Sequence, residues 1–411
     1  MSDIQQAGVV IVGAGQAGAE TASALRQQGY AGRITLIGSE AYLPYRRPPL
    51  SKTFLAGEAT LESLILKPEA VYAKHDIECR LGIGAESIDR SKKVLSLDDG
   101  THVSYDKLVL ATGGRPRRLS LPGSDHSNVH YIRTIGDILK LQPQFKAGKN
   151  LLIIGGGYIG LEAASVGIKK GLNVTVIEAL PRVLARVTAP EISAFYERVH
   201  RSKGVDIRTG VGVHGFEGDP LVTTVVLADG ARLPADVIVV GVGLIPNTEL
   251  AETAGLEINN GIVADLHCRT ADPDIYAIGD CSNHDNGFLG RRLRLESVPN
   301  ALEQARVVAL DIVGKPTPNA SVPWFWSDQY DLKLQMVGLS QGYDQIVIRG
   351  DLHGDSFCAF YLDKGVMISA DGVNRPQEFM VAKRLVAERR VVPVAVLQDE
   401  SQPFKAILSA V

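Results

Sequence analysis

The sequence is poor in the residues that most often define redox or metal chemistry by themselves. Its four cysteines, Cys79, Cys268, Cys281 and Cys358, lie far apart and form no C-x-x-C. That spacing argues against a dithiol redox pair, a thiolate zinc site and a disulfide framework. The histidines are scattered without metal-ligand spacing, so no metal site is assigned. No run of about 18 apolar residues exists to span a membrane. Met1 to Gly8 has neither the basic start nor the long apolar core of a secretory signal, so the expected location is the cytoplasm. Neither sign of charge dominates: 43 Lys+Arg stand against 46 Asp+Glu, a formal net charge of −3, which argues against a general nucleic-acid binder. At 45% hydrophobic and 22% charged residues, wholesale disorder and fibrous repeats are excluded, and 411 residues suggest two or three domains.

What is present is one pattern written twice. Val9 to Val12 is a short β-branched apolar run that reads as a buried strand. It leads directly into Gly13-Ala14-Gly15-Gln16-Ala17-Gly18, an Ala-rich helical stretch from Ala19 to Gln28, and a second strand, Ile34 to Ile37. The order recurs at Leu151 to Ile154, Gly155-Gly156-Gly157-Tyr158-Ile159-Gly160, a helix to about Lys170, and Val174 to Ile177. A shorter duplication relates Asp106 to Gly113 with Asp236 to Gly243, each read as the strand that closes its unit.

Residues 270–321 contain an apolar strand, Ile275 to Ile278, and a helix from Val298 to about Val313, and are expected to return to the first domain. Gly314 to Ser321, with two prolines, reads as a linker. Alternating segments such as Lys333 to Val337 and Gln345 to Arg349, then a helix from Arg375 to Arg390, predict a separate α+β domain. The expected class is therefore α/β, with two Rossmann-like dinucleotide-binding domains and a C-terminal α+β domain. Its expected boundaries are 1–113 with 248–321, then 114–247, then 322–411.

Each glycine motif follows a strand and opens a helix, the context that dinucleotide binding needs. The first glycine (Gly13, Gly155) permits the turn. The second (Gly15, Gly157) lets the pyrophosphate approach the main chain, and the third (Gly18, Gly160) lets helix and strand pack closely. Unpaired N–H groups at the helix start, around Ala17 in one copy and Tyr158 and Ile159 in the other, face the anion. Glu178 directly follows the second strand of the later copy, where a carboxylate holds the ribose hydroxyls and repels a 2′-phosphate, so NADH is favoured over NADPH. Arg186 lies further along, and Gly243 ends the later strand. In the first copy the matching position is Gly38, and the ribose contacts shift to Ser39 and Glu40.

Two such units suggest FAD plus a nicotinamide. Arg47-Pro48-Pro49-Leu50-Ser51-Lys52, Leu110-Ala111-Thr112-Gly113 and Ile275 to Asp280 resemble the FAD signatures of the glutathione-reductase-like flavoproteins. Gly155 to Glu162, Glu296 to Asn300 and Pro323 to Asp328 resemble one branch of them, the NADH-dependent ferredoxin reductases of bacterial oxygenases, of the putidaredoxin-reductase type that serves cytochromes P450. The similarity runs over essentially the whole chain.

The resemblance implies roles for individual residues. Asp280, after Gly279, binds the flavin ribityl chain, and Val298 opens a helix aimed at the flavin ring. Lys52 lies near the flavin N5 and pairs with Glu162. Arg47, Ala85 and Arg133 join the FAD set, and Glu296 the NAD set. Trp326 lies close to the flavin on the side facing the redoxin, although an aromatic pair with Trp324 serves packing equally well. The segment Ala41 to Leu55 contains no cysteine, unlike disulfide reductases, flavin peroxidases and coenzyme A disulfide reductases of this architecture. The implied acceptor is thus a one-electron carrier, a 2Fe–2S ferredoxin feeding a cytochrome P450 or another oxygenase, with the reductase a monomer or weak homodimer. Rubredoxin reductase and the ferredoxin reductase of a ring-hydroxylating dioxygenase are the alternatives. A direct NADH oxidase and an apoptosis-inducing-factor-like flavoprotein also remain open. An acidic carrier calls for a local basic patch, for which Arg306, Lys333, Lys383, Arg384 and Lys405 are candidates.

Overall fold

The computed structural model describes residues 7–407. The part of the signal-sequence reading that concerns Met1 to Gln6 lies outside them. The chain divides into two compact units, one of Met1–Arg46, Glu62–Arg115 and Ile245–Trp324, the other of Arg47–Leu61, Pro116–Leu244 and Phe325–Val411.

In the first unit, Val9–Val12 is buried along its whole length. A strand of β-branched residues fits a pleated surface, and one apolar on both faces needs cover on both sides. It forms the centre of a parallel sheet ordered Ile275–Ala277, Lys107–Leu110, Val9–Val12, Ile34–Gly38, Ile77–Leu81. The two-residue period of the strand splits its side chains. Val9 and Ile11 pack with Ala22 and Leu25 of helix Gln16–Gln27 and with Val307 and Val308 of helix Val298–Ile312. Val10 and Val12 pack the other way, with Leu95, Leu97 and Val103 of an antiparallel three-stranded sheet. Each such side chain contributes roughly 1.5–3 kcal/mol by leaving water.

The second unit repeats the plan. Its parallel sheet runs Asp206–Thr209, Asn173–Glu178, Asn150–Ile154, Val237–Val240, Val129–Tyr131. Helix Tyr158–Lys169 follows the central strand and is apolar nearly all round, with eight consecutive buried residues from Gly160 to Gly167. The C-terminal part adds an antiparallel sheet ordered Trp324–Gln329, Leu332–Gly338, Val366–Val373, Ser356–Asp363, Gln345–Asp351. Helix Pro376–Ala387 lies against it and buries Phe379, Val381, Ala382, Leu385 and Val386. Proline at its start and Arg389 at φ 49° just past its end make it shorter than the sequence suggested.

The structure differs from expectation in two further places. Lys107–Leu110 and Val237–Val240 do not close their sheets, because Ile275–Ala277 and Val129–Tyr131 pair beyond them. Val129–Tyr131 is three residues long, too short to show a period. The stretch read as a linker is docked rather than free. Asn319 is fully buried, its N–H donates to Leu266 O at 2.7 Å, and its carbonyl accepts from Gly287 N at 2.8 Å. Among the described residues no helix is long and apolar enough to cross a membrane.

Candidate active site

The first glycine motif forms a backbone cradle. Gly13 sits at φ +114°, and a Cβ there would lie 2.1 Å from Ala111 O. A Cβ on Gly18 would lie 1.9 Å from Gly13 O, so neither position accepts any other residue. Gly15 is different: a Cβ there meets nothing within 4 Å. It is also the N-cap of helix Gln16–Gln27, with no side-chain cap and no acid in the first turn. A helix start with an open approach and no capping oxygen suits a pyrophosphate. Ala17 is buried behind it.

Around this cradle the first unit gathers Ser39, exposed, and Glu40, whose Oε2 accepts from Tyr45 Oη at 2.6 Å. Ala111, Thr112 and Gly113 follow Lys107–Leu110, and Thr112 exchanges hydrogen bonds with Asn247, Oγ1 donating to its carbonyl at 2.6 Å and Asn247 Nδ2 donating back at 2.9 Å. Gly279, at φ +72°, donates its N–H to Gln304 Oε1 at 2.6 Å, which pins the turn carrying half-buried Asp280. Val298 opens its helix behind Ser297, whose Oγ accepts from Asn300 N. Ala85 begins strand Ala85–Asp89. Glu296 also falls in this unit, paired with Arg294 at 2.5 Å.

The second unit repeats the cradle atom for atom. Gly155 has φ +110°, with its virtual Cβ 2.3 Å from Gly241 O, and that of Gly160 is 2.2 Å from Gly155 O. Gly157 is open and is the uncapped N-cap of Tyr158–Lys169. Gly243, φ +113°, is likewise open. Glu178 is held from both sides, Oε2 accepting from Gly156 N and Oε1 from Leu180 N, each at 2.7 Å. Its carboxylate is therefore fixed beside the glycine turn, where ribose hydroxyls of a dinucleotide belong. The residues of both cradles fit such a ligand. Tyr158 turns its hydroxyl to Met336 Sδ at 2.8 Å, while Ile159 is 48% exposed. Arg186 is exposed on the loop beyond. Arg47 donates to Arg133 O at 2.6 Å, so these two are neighbours in the second unit.

The third grouping is the sharpest. Lys52 Nζ meets Glu162 Oε2 at 2.7 Å, their side chains 18% and 4% exposed. Ser51 Oγ donates to the same oxygen at 2.5 Å, and Ser327 Oγ donates to Oε1 at 2.6 Å. Burying a carboxylate is costly unless donors such as these bond its oxygens. The matching residue of the first repeat, Glu20, is instead half-buried and paired with Lys67 at 3.1 Å. Trp326 is half-buried on the strand that carries Ser327, its ring 6.2 Å from that of Phe325, which packs at 5.1 Å on Tyr158.

Ser51, Ser327, Asn247 and Gln304 were not singled out from sequence. The two serines lay inside the quoted motifs, next to Lys52 and Trp326, and only the fold shows which oxygen they reach. The basic candidates include two that spend their charge locally, Arg306 on Glu303 and Arg384 on Glu388. The thiols are unsuited to exchange chemistry. Burial pushes Cys79 up to about 11 and raises Cys268, Cys281 and Cys358 as well. Among the described residues, no group of three metal-binding side chains gathers.

Comparison with known proteins gives a consistent picture. Residues 7–305 match the family model described as pyridine nucleotide-disulphide oxidoreductase, and residues 324–408 match the one described as reductase C-terminal. The chain is 48% identical over 408 residues to putidaredoxin reductase CamA of Pseudomonas putida, covering 98% of this chain and 97% of that one. It is 42% identical to rhodocoxin reductase of Rhodococcus erythropolis over 92% of this chain and 89% of that one. Among solved structures, a covalent putidaredoxin reductase–putidaredoxin complex matches with a TM-score of 0.96, covering 98% of this chain and 99% of that one at 48% identity.

Proposed function

The chain belongs to the pyridine nucleotide-disulphide oxidoreductase family, and from that premise we infer that it is a ferredoxin reductase of the putidaredoxin-reductase type. It takes a hydride from NADH and passes electrons singly to a 2Fe–2S ferredoxin that supplies a cytochrome P450 or another oxygenase. One NADH gives two electrons and a proton; two ferredoxins take one electron each, and the proton leaves to solvent. The observation that carries this reading is the repeated backbone cradle, Gly13 to Gly18 and Gly155 to Gly160, in a chain whose thiols are unsuited to dithiol chemistry.

We assign FAD to the first cradle, with Gly13, Gly15, Gly18, Glu40, Thr112 and Asp280 as its main contacts, and NADH to the second, with Gly155, Gly157, Gly160 and Glu178. FAD, when bound, accepts two electrons as hydride and releases them one at a time. The chain's own residues do the rest. Lys52 holds a fixed positive charge where negative charge arrives, and Glu162 orients and balances it. Glu178 accepts the ribose hydroxyls and repels a 2′-phosphate. Trp326 lies on the route by which electrons leave. We keep the three-domain division, with boundaries near residues 113, 247 and 321, as the functional organisation, and the cytoplasm as the location.

The test is to release the flavin by acid and to reduce the holoprotein anaerobically with each nicotinamide. FAD in the supernatant and faster reduction by NADH than by NADPH are expected. Replacing Glu178 with glutamine and adding a nearby arginine moves kcat/KM toward NADPH by roughly tenfold or more. A wild-type protein that uses both equally well contradicts the role of Glu178.

A further inference from the structure

Glu162 is the end of a longer hydrogen-bonded chain, all of it within the second unit. Ser327 Oγ, which donates to Glu162 Oε1 at 2.6 Å, lies 3.2 Å from Gln329 Nε2. Gln329 Oε1 lies 2.9 Å from His200 Nε2, and His200 Nδ1 lies 3.0 Å from Tyr330 Oη. Ser327, Gln329 and His200 are fully buried, while Tyr330 is half-buried.

The chemistry of the groups fixes the sense of every bond. A carboxylate only accepts, so the Ser327 hydroxyl must donate to Glu162 and accept from the Gln329 amide. The carboxamide oxygen then faces His200, which must carry its proton on Nε2. That leaves Nδ1 to accept from Tyr330. Burial lowers His200 to about 4, so it stays neutral and keeps one tautomer at ordinary pH. Every side-chain nitrogen and oxygen from Tyr330 to Glu162 has at least one partner, as a buried polar network requires. The neutral amide in the middle makes it a poor path for protons, so its effect is geometric.

We propose that Ser327, Gln329 and His200 are positioning residues for hydride transfer: anchored on helix Pro190–Ser202 by His200, they fix the Glu162 carboxylate and through it Lys52. The proposal rests on the hydride-transfer role given above to Lys52 and Glu162. Ser51 holds the other carboxylate oxygen, so Glu162 is clamped from two directions. The strand that carries Trp326 thus also carries the support for the ion pair.

The experiment compares wild type, Ser327→Ala and Ser327→Thr, with Ser369→Ala as a control for loss of a buried hydroxyl elsewhere in the C-terminal sheet, where Ser369 Oγ donates to Val337 O. Nitrogen NMR of the imidazoles is expected to show His200 as a single Nε2–H tautomer between pH 6 and 8 in wild type, in Ser327→Thr and in Ser369→Ala. It is expected to show mixed tautomers in Ser327→Ala, where the amide is free to turn. Stopped-flow reduction of the FAD-loaded protein by NADH is expected to slow roughly tenfold in Ser327→Ala, the effect of one hydrogen bond to a charged group, with little change in NADH affinity and recovery in Ser327→Thr. An Nδ1–H tautomer in wild type overturns the chain. So does a folded, FAD-loaded Ser327→Ala that is reduced at the wild-type rate, or a Ser327→Thr as slow as Ser327→Ala. Wild-type protein that NADH does not reduce overturns the functional reading itself, whatever the tautomer.

Discussion

Removing either charge of the Lys52–Glu162 pair is expected to cost as much as removing both. The two groups are 2.7 Å apart and 18% and 4% exposed. At an effective dielectric constant near 20 their attraction is about 6 kcal/mol, most of it offset by the loss of hydration. Glu162→Gln leaves the ammonium without its counter-ion and points an amide NH2 at groups that are themselves donors. Lys52→Met leaves the carboxylate with only Ser51 and Ser327. Because Lys52 keeps some access to water, each single variant falls near the low end of the range for a broken buried pair, about 3 kcal/mol. The double variant removes both charges and is expected to lose about 3 kcal/mol as well, half of what additivity gives. The coupling energy is then about 3 kcal/mol. Urea unfolding of the four proteins at one fixed FAD concentration measures it, and stopped-flow reduction by NADH of the folded variants shows whether the same pair governs hydride arrival. A coupling below about 0.5 kcal/mol, within the error of additive sites, refutes the claim that the two side chains act as a unit.

Other expected outcomes follow from single positions. Gly157→Ala adds a Cβ that meets no protein atom within 4 Å, whereas in Gly160→Ala the Cβ lies 2.2 Å from Gly155 O. The first variant keeps its melting temperature and loses NADH affinity by titration; the second loses stability before binding can be measured, and equal melting of the two speaks against the cradle. Trp326→Ala, once shown to be folded and FAD-loaded, keeps fast flavin reduction by NADH and reduces the ferredoxin more slowly; an unchanged second step makes the residue a packing aromatic. Burial raises the Asp371 carboxyl to about 7, against the hydrogen bond from Tyr361 Oη at 2.6 Å that lowers it. The folded chain therefore keeps a proton that the unfolded chain releases above about pH 4, and stability falls as pH rises from about 4 to 7 and then levels. Asp371→Asn flattens that fall in urea-denaturation series across the window, and an unchanged slope removes Asp371 as its source.

The parts legible in the sequence were those with a local cause. Gly13, Gly18, Gly155 and Gly160 could be read because a turn that brings helix and strand together leaves no room for a Cβ, and this constraint lies within a few residues. The central strands were legible because runs such as Val9–Val12 are apolar on both faces. The three-residue edge strand Val129–Tyr131 carried no period. The segment around Asn319 looked like a linker because its backbone bonds go to Leu266 and Gly287, partners that the local pattern does not reveal. Lys52 and Glu162 came from resemblance, and the structure brings them into contact. Their supports, Ser51, Ser327, Gln329 and His200, could not be read, since a serine or glutamine on a strand looks alike whether it faces water or a buried carboxylate.

The most direct test of the central claim is an electron count. The FAD-loaded protein is mixed anaerobically with limiting NADH and an excess of oxidised 2Fe–2S ferredoxin, and reduced iron–sulfur centre is measured against NAD+ formed. The account predicts two reduced ferredoxins for each NADH, because a hydride carries two electrons and each acceptor takes one. Turnover of NADH by the holoprotein in air, with peroxide formed at the same rate whether or not ferredoxin is present and no anaerobic ferredoxin reduction, would contradict it and identify a direct NADH oxidase instead.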